Sequence, residues 1–441
     1  MVFPKKEILN HPSHIPKVFG ELKIRGNLAD HIRKYKTLNS STIPSPRVPV
    51  CNGVAALNTH QTQAIVFKTP LLSMEKITEN SFKNANFKNI KGIKQTLDSD
   101  IKPLYDSICK LGDKAWVVVE DQRGEQYCMV FSESGFIYTK CTAMSPYFGV
   151  KSSDINAKYH AYVEFGFHSS NLNFGGCHSY DLGLTQIFPH ISAAMMIAKT
   201  LNYFLVGGIG FDANEFASRL TLAASDLGLG FLSFYTPKWA LTGHVECLTF
   251  ALVFIANSLY DPAYGRTLVQ VFNWDTNNDW KLKTQTLLNT KSPGFEQGTS
   301  SVDTKLTKQP TRDIVTTTFP YDSVKCYYSA LVYQVDSLTT PSSFALRVTL
   351  DNDITQGFTY AYSRPPQNQG KAGQIIQGRP LDPQEFLSCS IGKFQSSPLN
   401  TLITTNHQTP VSASMDIVES QLTNLFNVII NINNKSVQSF Y

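Results

Sequence analysis

From Leu182 to Tyr260 the chain runs for 79 residues with only seven charged side chains, Lys199, Asp212, Glu215, Arg219, Asp226, Lys238 and Glu246. A helix that meets water keeps a polar stripe, so a block this apolar must be enclosed by protein on most of its sides. The enclosing protein is either the rest of a large domain or a neighbouring subunit. Punctuation within the block predicts three or more helices: Asp212 followed by Glu215 is a capping box, and Thr236-Pro237 sets a cap residue ahead of proline at a first helical position. Asp261-Pro262-Ala263 closes it. The apolar run from Leu182 to Phe211 is broken by Pro189, His190, Lys199 and Gly207-Gly208-Ile209-Gly210. Its pieces fall short of the roughly 20 apolar residues that a bilayer span needs, so buried core helices are expected and no membrane partner.

The flanking sequence divides around this block. Upstream, Ile90, Ile93, Leu97, Ile101, Leu104 and Ile108 recur every three or four residues and predict a helix that docks one face on a core. Runs at 116–119, 126–131 and 136–139, separated by Arg123-Gly124 and Ser134-Gly135, predict a three-stranded meander, and 159–167 alternates in the same way. Downstream, 267–283 suggests a hairpin turning at Asn277-Asn278-Asp279, the polar stretch from Asn289 to Arg312 reads as a loop, and strand-like runs fill 314–362. Another long loop is expected from Arg364 to Pro383, and a closing helix from Ser414 to Ile430. The expected class is α+β, with a helix-rich core and a smaller β-containing domain. Four regions result: a basic, proline-interrupted N-terminal arm at 1–60, a helix-rich domain at 61–290 with the meander at 115–140, a β-rich and loop-rich region at 291–413, and a helix with tail at 414–441.

Charge is distributed unevenly along this layout. Residues 1–115 hold 18 basic and 9 acidic side chains, a net of +9, while the remainder holds 21 and 25, a net of −4. Nine basic residues fall within the first 60: Lys5, Lys6, Lys17, Lys23, Arg25, Arg33, Lys34, Lys36 and Arg47. Each Lys or Arg that neutralises a phosphate releases a condensed counterion, giving tight, salt-sensitive and sequence-indifferent binding with no required spacing. These nine are therefore the candidate polyanion-binding residues, RNA being one such polyanion; the bland alternative is a solvated tail beside a Lys-rich surface helix. Prolines at 12, 16, 44, 46 and 49 predict an extended segment. Across the whole chain only 17% of residues are charged, against about a quarter in ordinary domains. Burial against partners accounts for such a deficit, because interface cores are depleted in charge.

Chemistry-bearing motifs are sparse. The eight cysteines (at 51, 109, 128, 141, 177, 247, 326 and 389) include no C-x-x-C pair, so they read as reduced thiols, and the N-terminus lacks the apolar region of a signal peptide, which favours cytosolic synthesis. Gly208-Ile209-Gly210-Phe211-Asp212-Ala213 fits a relaxed dinucleotide fingerprint, but the residues before it look helical where a strand is required. Cys177-His178, near His160, Glu164, His168, Asp181 and His190, is the candidate thiol nucleophile. His160, Glu164 and His168 would stack as metal ligands on a helix, whereas the aromatic residues between them favour a strand. No catalytic residue, metal site or cofactor is assigned.

A basic arm, a charge-poor helical middle and Ser/Thr/Gln-rich β segments with long loops resemble, in layout, the capsid proteins of small double-stranded RNA viruses of the partitivirus-like group. The resemblance implies a helical shell domain containing 182–260, a smaller protruding domain built from the C-terminal β region, and an arm facing the genome. It implies copies of the chain and a sequence-nonspecific RNA genome as partners, and the virion, assembled in the host cytoplasm, as location. An RNA-binding nucleoprotein forming filaments, and an enzyme using Cys177 or the Gly208 turn, stay open beside it.

Overall fold

The computed structural model describes residues 9–42, 61–64, 66–67, 70–122, 124–142, 162–181, 190–207, 213–227, 232–235, 266–292, 295, 297–310, 323–335, 339–366, 371–417 and 425–435. Chain contacts divide it into two compact units: one of 1–67, 100–170 and 179–240, the other of 68–99, 171–178 and 241–441.

The first unit is built on an antiparallel sheet ordered Lys23–Asn27, Val117–Glu120, Gln126–Phe131, Gly135–Thr142 and Tyr162–Ser169. Its central strands read as continuous apolar runs because both faces are covered. On one face Tyr127, Met129, Phe131, Phe136 and Tyr138 pack with Leu22 and with Ile15, Val18, Phe19 and Ile24 from the N-terminal segment. The helix His190–Gly207 also packs on this sheet, where Thr139 Oγ1 donates to the Ala194 carbonyl at 2.9 Å and Ala194, Met195, Met196, Ile197 and Ala198 are buried. Burial of a large apolar side chain is worth about 1.5–3 kcal/mol when complete. The N-terminal segment, with Leu22 buried and Ile15, Val18, Phe19 and Ile24 partly buried, therefore folds onto the sheet rather than trailing free. Asn10 fixes its start, donating from its backbone N–H to the Phe131 carbonyl at 2.8 Å while its Oδ1 accepts from the Phe131 N–H at 3.1 Å. The extended arm expected at the N-terminus is thus two 3-10 turns, Pro12–His14 and Lys17–Phe19, the edge strand Lys23–Asn27 and the helix Leu28–Thr42.

The second unit is a β-sandwich. One sheet runs Leu71–Met74, Val324–Val335, Arg266–Asn273, Leu425–Ile432, Pro410–Ile417 and Asn400–Thr404, antiparallel except where Arg266–Asn273 lies parallel to Leu425–Ile432. The facing sheet is antiparallel throughout: Gly298–Leu306, Trp280–Leu288, Ser342–Leu350, Gly357–Arg364 and Gly373–Gln377. Alternation of period two builds the core between them. Phe344, Leu346, Val348 and Leu350 meet Val269, Val271, Leu331, Tyr333, Val428 and Ile430, and the Tyr333 and Phe344 rings stack at 3.7 Å. A bulge between Leu282 and Thr284 shifts the register, so that Trp280 and Leu282 before it and Leu287 after it all reach the same core.

Helices cover the outer faces of this unit. Pro383–Ser390 starts at Asp382, whose carboxylate accepts from the Gln384 and Glu385 N–H groups at 3.0 Å each, with proline in the first turn. It lays Phe386 and Leu387 over Ala345 and Ala361, whose small side chains let the helix approach. Lys76–Lys83 places Phe82 against Phe272, ring centres 5.2 Å apart. Gly357 supplies a tight approach: its φ is +150°, and an added Cβ would lie 2.1 Å from the Val348 carbonyl oxygen. Gly357→Ala is expected to destabilise the protein by at least about 2 kcal/mol through strain and overlap, seen as a fall in the urea midpoint at unchanged m-value.

The helix-rich class is corrected by these units. Of the described residues 44% lie in strands and 29% in helices, in large mixed and antiparallel sheets with six α-helices. Within 182–260 the helices His190–Gly207 and Ala213–Asp226 are followed by the strand Leu232–Tyr235, which pairs in parallel with Gln61–Ala64; 236–265 lie outside the described residues, with the Thr236-Pro237 start, as does Asp212. The closing helix expected over 414–430 is absent, because 410–417 and 425–432 are strands whose alternate residues Val411, Ala413, Met415 and Phe426, Val428, Ile430 enter the sandwich core. The 267–283 turn is a corner between sheets, not a hairpin: Arg266–Asn273 and Trp280–Leu288 belong to opposite layers. The buried Asp275 carboxylate organises that corner by accepting from the Asn277 N–H at 2.9 Å and the Trp280 indole at 3.2 Å. Both predicted long loops contain strands, Gly298–Leu306 and Gly373–Gln377. No helix among the described residues is long and apolar enough to cross a membrane.

Candidate nucleic-acid interface

The candidate RNA-binding residues do not form a free arm. Lys5, Lys6 and Arg47 lie outside the described residues. Lys17 is exposed on the Lys17–Phe19 turn, Lys23 and Arg25 are exposed on the edge strand with Ile24 turned inward between them, and Arg33, Lys34 and Lys36 lie on the helix Leu28–Thr42, the first two exposed. Arg25 is already engaged: its guanidinium donates to Glu120 Oε1 at 2.5 Å, and this bond is the main cause holding the Glu120 carboxyl below its usual range. Arg33 meets Asp30 at 3.2 Å in an exposed pair that a phosphate can displace at little cost. Lys17 and Lys34 make no ion pair among the described residues.

Lys23 and Arg25 also carry a structural duty. Their strand is a sheet edge with a bulge between Ile24 and Gly26, and charge plus a bulge is how an edge avoids pairing with another chain. Further along, much of the positive surplus is paired internally. Glu79, 2% exposed, sits 2.5 Å from Lys76 and 2.7 Å from Lys83. Burial alone would raise its pKa, but the two ammonium groups outweigh that and hold it low. Lys102 pairs with Asp106 at 3.1 Å, and Lys94 faces Asp416. Lys91 acts on the same Asp416 carboxyl; the exposed cations left over include Lys88, Lys110 and Lys114, which a charge count alone did not separate from the paired ones.

Among the described residues the candidate groups lie on separate strands and faces. Cys177 and His178 are buried neighbours on the strand Phe174–Asp181, so their side chains leave opposite faces of it. Cys177 packs with Leu71 and Tyr327. His160 lies outside the described residues. Glu164 and His168 share a face of Tyr162–Ser169 but are four residues apart on a strand, about 13 Å, too far to share a metal ion. Glu164 instead accepts the Tyr138 hydroxyl proton at 2.6 Å and lies 3.6 Å from Lys140. No group of three His, Cys, Asp or Glu able to hold a metal occurs among the described residues. The Gly208–Ala213 fingerprint follows the helix His190–Gly207, not the strand a dinucleotide site requires, and 208–212 lie outside the described residues.

A charged cluster that sequence pattern did not reveal is a network in the first unit. Lys199 Nζ lies 2.7 Å from Asp113 and 3.0 Å from Asp226. Asn202 donates to Asp113 at 2.7 Å and accepts from the Trp116 indole at 2.8 Å, while Tyr203 donates to Asp226. Burial lowers the Lys199 pKa, and the two carboxylates more than reverse that, leaving it raised and the lysine charged. Between the two carboxylates the charged lysine ties the helix His190–Gly207 to Asp113 and to the helix Ala213–Asp226. Thiol reactivity follows burial in the same way. Burial pushes the Cys128 thiol up to about 12, the Thr139 hydrogen bond only partly opposing it, whereas Cys389 is exposed. Under native alkylation followed by peptide mass spectrometry, Cys389 is expected to be modified and Cys128 to stay unmodified until the protein unfolds. No family model matches the chain, and no curated protein sequence matches it.

Proposed function

We propose that the chain is a structural protein whose copies assemble into a closed shell around RNA. The observation that carries this reading is the charge polarity, net +9 through residue 115 and −4 beyond it, with exposed cations at Lys17, Lys23, Arg33 and Lys34. The charge-poor remainder suits packing of copies side by side, and two-layer β-domains are among the architectures that build viral shells, an analogy of architecture only. The shell in this reading is β-built; the helical shell domain is set aside with the helix-rich class.

The test is negative-stain microscopy of purified protein, with the 260/280 nm absorbance ratio as a measure of bound nucleic acid. Closed particles with RNA are expected; filaments or beads would instead mean a nucleoprotein, and a discrete RNA-free monomer or dimer would overturn the proposal. Deleting the N-terminal segment is a poor probe, because Lys23–Asn27 pairs with Val117–Glu120 and its loss would damage the first unit. Joint substitution of Lys17, Lys23, Arg33 and Lys34 by glutamine leaves the Lys23–Asn27 pairing in place, with Arg25 and the bulge still guarding the edge. If all four touch phosphate, the slope of log K against log salt for single-stranded RNA should become shallower by about 3, with particles still forming.

A further inference from the structure

One cavity in the first unit has the makings of a site. It measures about 350 Å3 and lies between the N-terminal segment, which contributes His14 and Lys17, and the sheet, which contributes Ser132, Glu133, Phe136 and His168. That volume falls within the range of small-molecule sites. His168 is buried at the cavity wall, 6% exposed, and neither of its ring nitrogens has a hydrogen-bond partner; His14 Nδ1 lacks one as well. A buried polar group normally finds a partner, so an imidazole left with two orphan nitrogens beside a cavity needs an explanation.

The surroundings hold this imidazole firmly. Its ring stacks on Phe136 with centroids 5.2 Å apart and planes 13° from parallel. The adjoining turn is pinned by the Ser132 N–H to the Gly135 carbonyl at 2.9 Å and the Ser170 N–H to the Ser134 carbonyl at 2.8 Å. Next along the strand, Ser169 donates to the buried Asp100.

We infer that this cavity is a nucleotide pocket, in which His168 and Glu133 read the edge of a base and Lys17 meets its phosphate. The inference rests on the proposed RNA binding and names the chemistry of one contact within it. One nitrogen of a neutral imidazole donates or accepts according to its tautomer, and the Glu133 carboxylate lining the same cavity supplies a second contact to a base edge. Burial keeps His168 in that neutral form, lowering its pKa to about 4. Glu133 accepts N–H donors and repels an anion placed inside the cavity, so the phosphate belongs outside, with the exposed Lys17. Single-stranded RNA is commonly read this way, through splayed-out bases set against aromatic or histidine rings.

The experiment is a ligand-observed NMR titration of the full chain with nucleoside 5′-monophosphates, the matching nucleosides and inorganic phosphate, repeated with His168→Phe. That substitution keeps the ring and removes both nitrogens. Saturable binding of monophosphate and nucleoside is expected, with inorganic phosphate failing to compete, and His168→Phe should weaken nucleoside binding at least tenfold without lowering the melting temperature. Competition by a short single-stranded RNA at its own nucleotide concentration would show that the pocket serves RNA; competition by the free monophosphate alone would make it a site for free nucleotide. No saturable nucleoside binding, or equal binding by His168→Phe, would overturn the pocket. A Lys17→Gln variant adds a second reading, losing the advantage of monophosphate over nucleoside. Particles that retain RNA undiminished in His168→Phe would overturn the pocket's part in RNA binding and leave the shell. Nucleoside binding in a protein that forms no particles would do the reverse.

Discussion

Asn431→Leu is expected to destabilise the protein by about 2–4 kcal/mol, read as a fall in the urea midpoint with an unchanged m-value. Asn431 lies on the Leu425–Ile432 strand, 1% exposed, and joins three parts of the second unit. Its Nδ2 donates to the Phe82 and Lys83 carbonyls at 3.1 Å each, where the helix Lys76–Lys83 ends, and its Oδ1 accepts from the Trp274 indole at 2.8 Å. Leucine keeps the branched shape but carries two bulkier methyl groups, so no cavity arises and some overpacking adds to the cost. Most of the loss comes from the Trp274 N–H, buried at 2% exposure and left without an acceptor. The two carbonyls lose less, because Phe82 O also accepts from the Ala85 N–H at 3.0 Å and Lys83 O from Asn434 at 2.5 Å.

Trp274→Phe separates this mechanism from generic packing damage. Phenylalanine removes the orphaned donor while keeping a ring beneath the Lys83 ammonium, which lies 4.7 Å above the Trp274 ring centre. If orphaning dominates, Asn431→Leu costs about 1–2 kcal/mol less in the Trp274→Phe background than in the wild type. Strict additivity of the two substitutions, or a cost for Asn431→Leu below about 0.5 kcal/mol, would show that the asparagine is not a structural joint.

That joint was not legible in the sequence, since Trp274 and Asn431 are 157 positions apart and nothing local marks either. What was legible is what depends on neighbours. The strands 117–120, 126–131 and 135–142 fall where alternation and the glycine turns place them. The helix Phe87–Leu111 buries Ile90, Leu97, Ile101, Leu104 and Ile108, the face its spacing predicts. Two kinds of reasoning failed for physical causes. Net charge drew attention to Lys17, Lys23 and Arg25 and away from Ile15, Val18, Phe19, Leu22 and Ile24 interleaved with them, which hold that segment on the sheet. The helix expected from Ser414 to Ile430 overlooks the period-two alternation of Phe426, Val428 and Ile430, which puts them in a sandwich. His168 was considered for a metal set with His160 and Glu164, a reading that strand geometry rules out for Glu164 and His168; its burial beside a cavity has no sequence signal.

His168 also dictates an acid-sensitive stability. Burial lowers its pKa from 6.5 to about 4, so in the folded protein the ring stays neutral while in the unfolded chain it gains a proton near pH 6.5. Between pH 6.5 and about 4 the unfolded state therefore binds more protons, and stability falls as pH falls through that window. Above it the contribution is fully present, and below about pH 4 both states are protonated and the loss levels off. A shift of this size corresponds to about 3 kcal/mol, large against the 5–15 kcal/mol of a typical fold. Carboxylates such as Glu79 and Asp303, held low by their lysine neighbours, lose stability at a lower pH, so they do not mimic the window. His168→Phe isolates the effect: at pH 7.5 it should be as stable as the wild type or more so, because two orphaned nitrogens are gone. The difference should widen in its favour as pH drops towards 4. Urea midpoints measured from pH 7.5 to 4 for both proteins provide the check, and parallel curves would mean that the imidazole is solvated or partnered in solution, removing both this prediction and the chemical basis of the pocket.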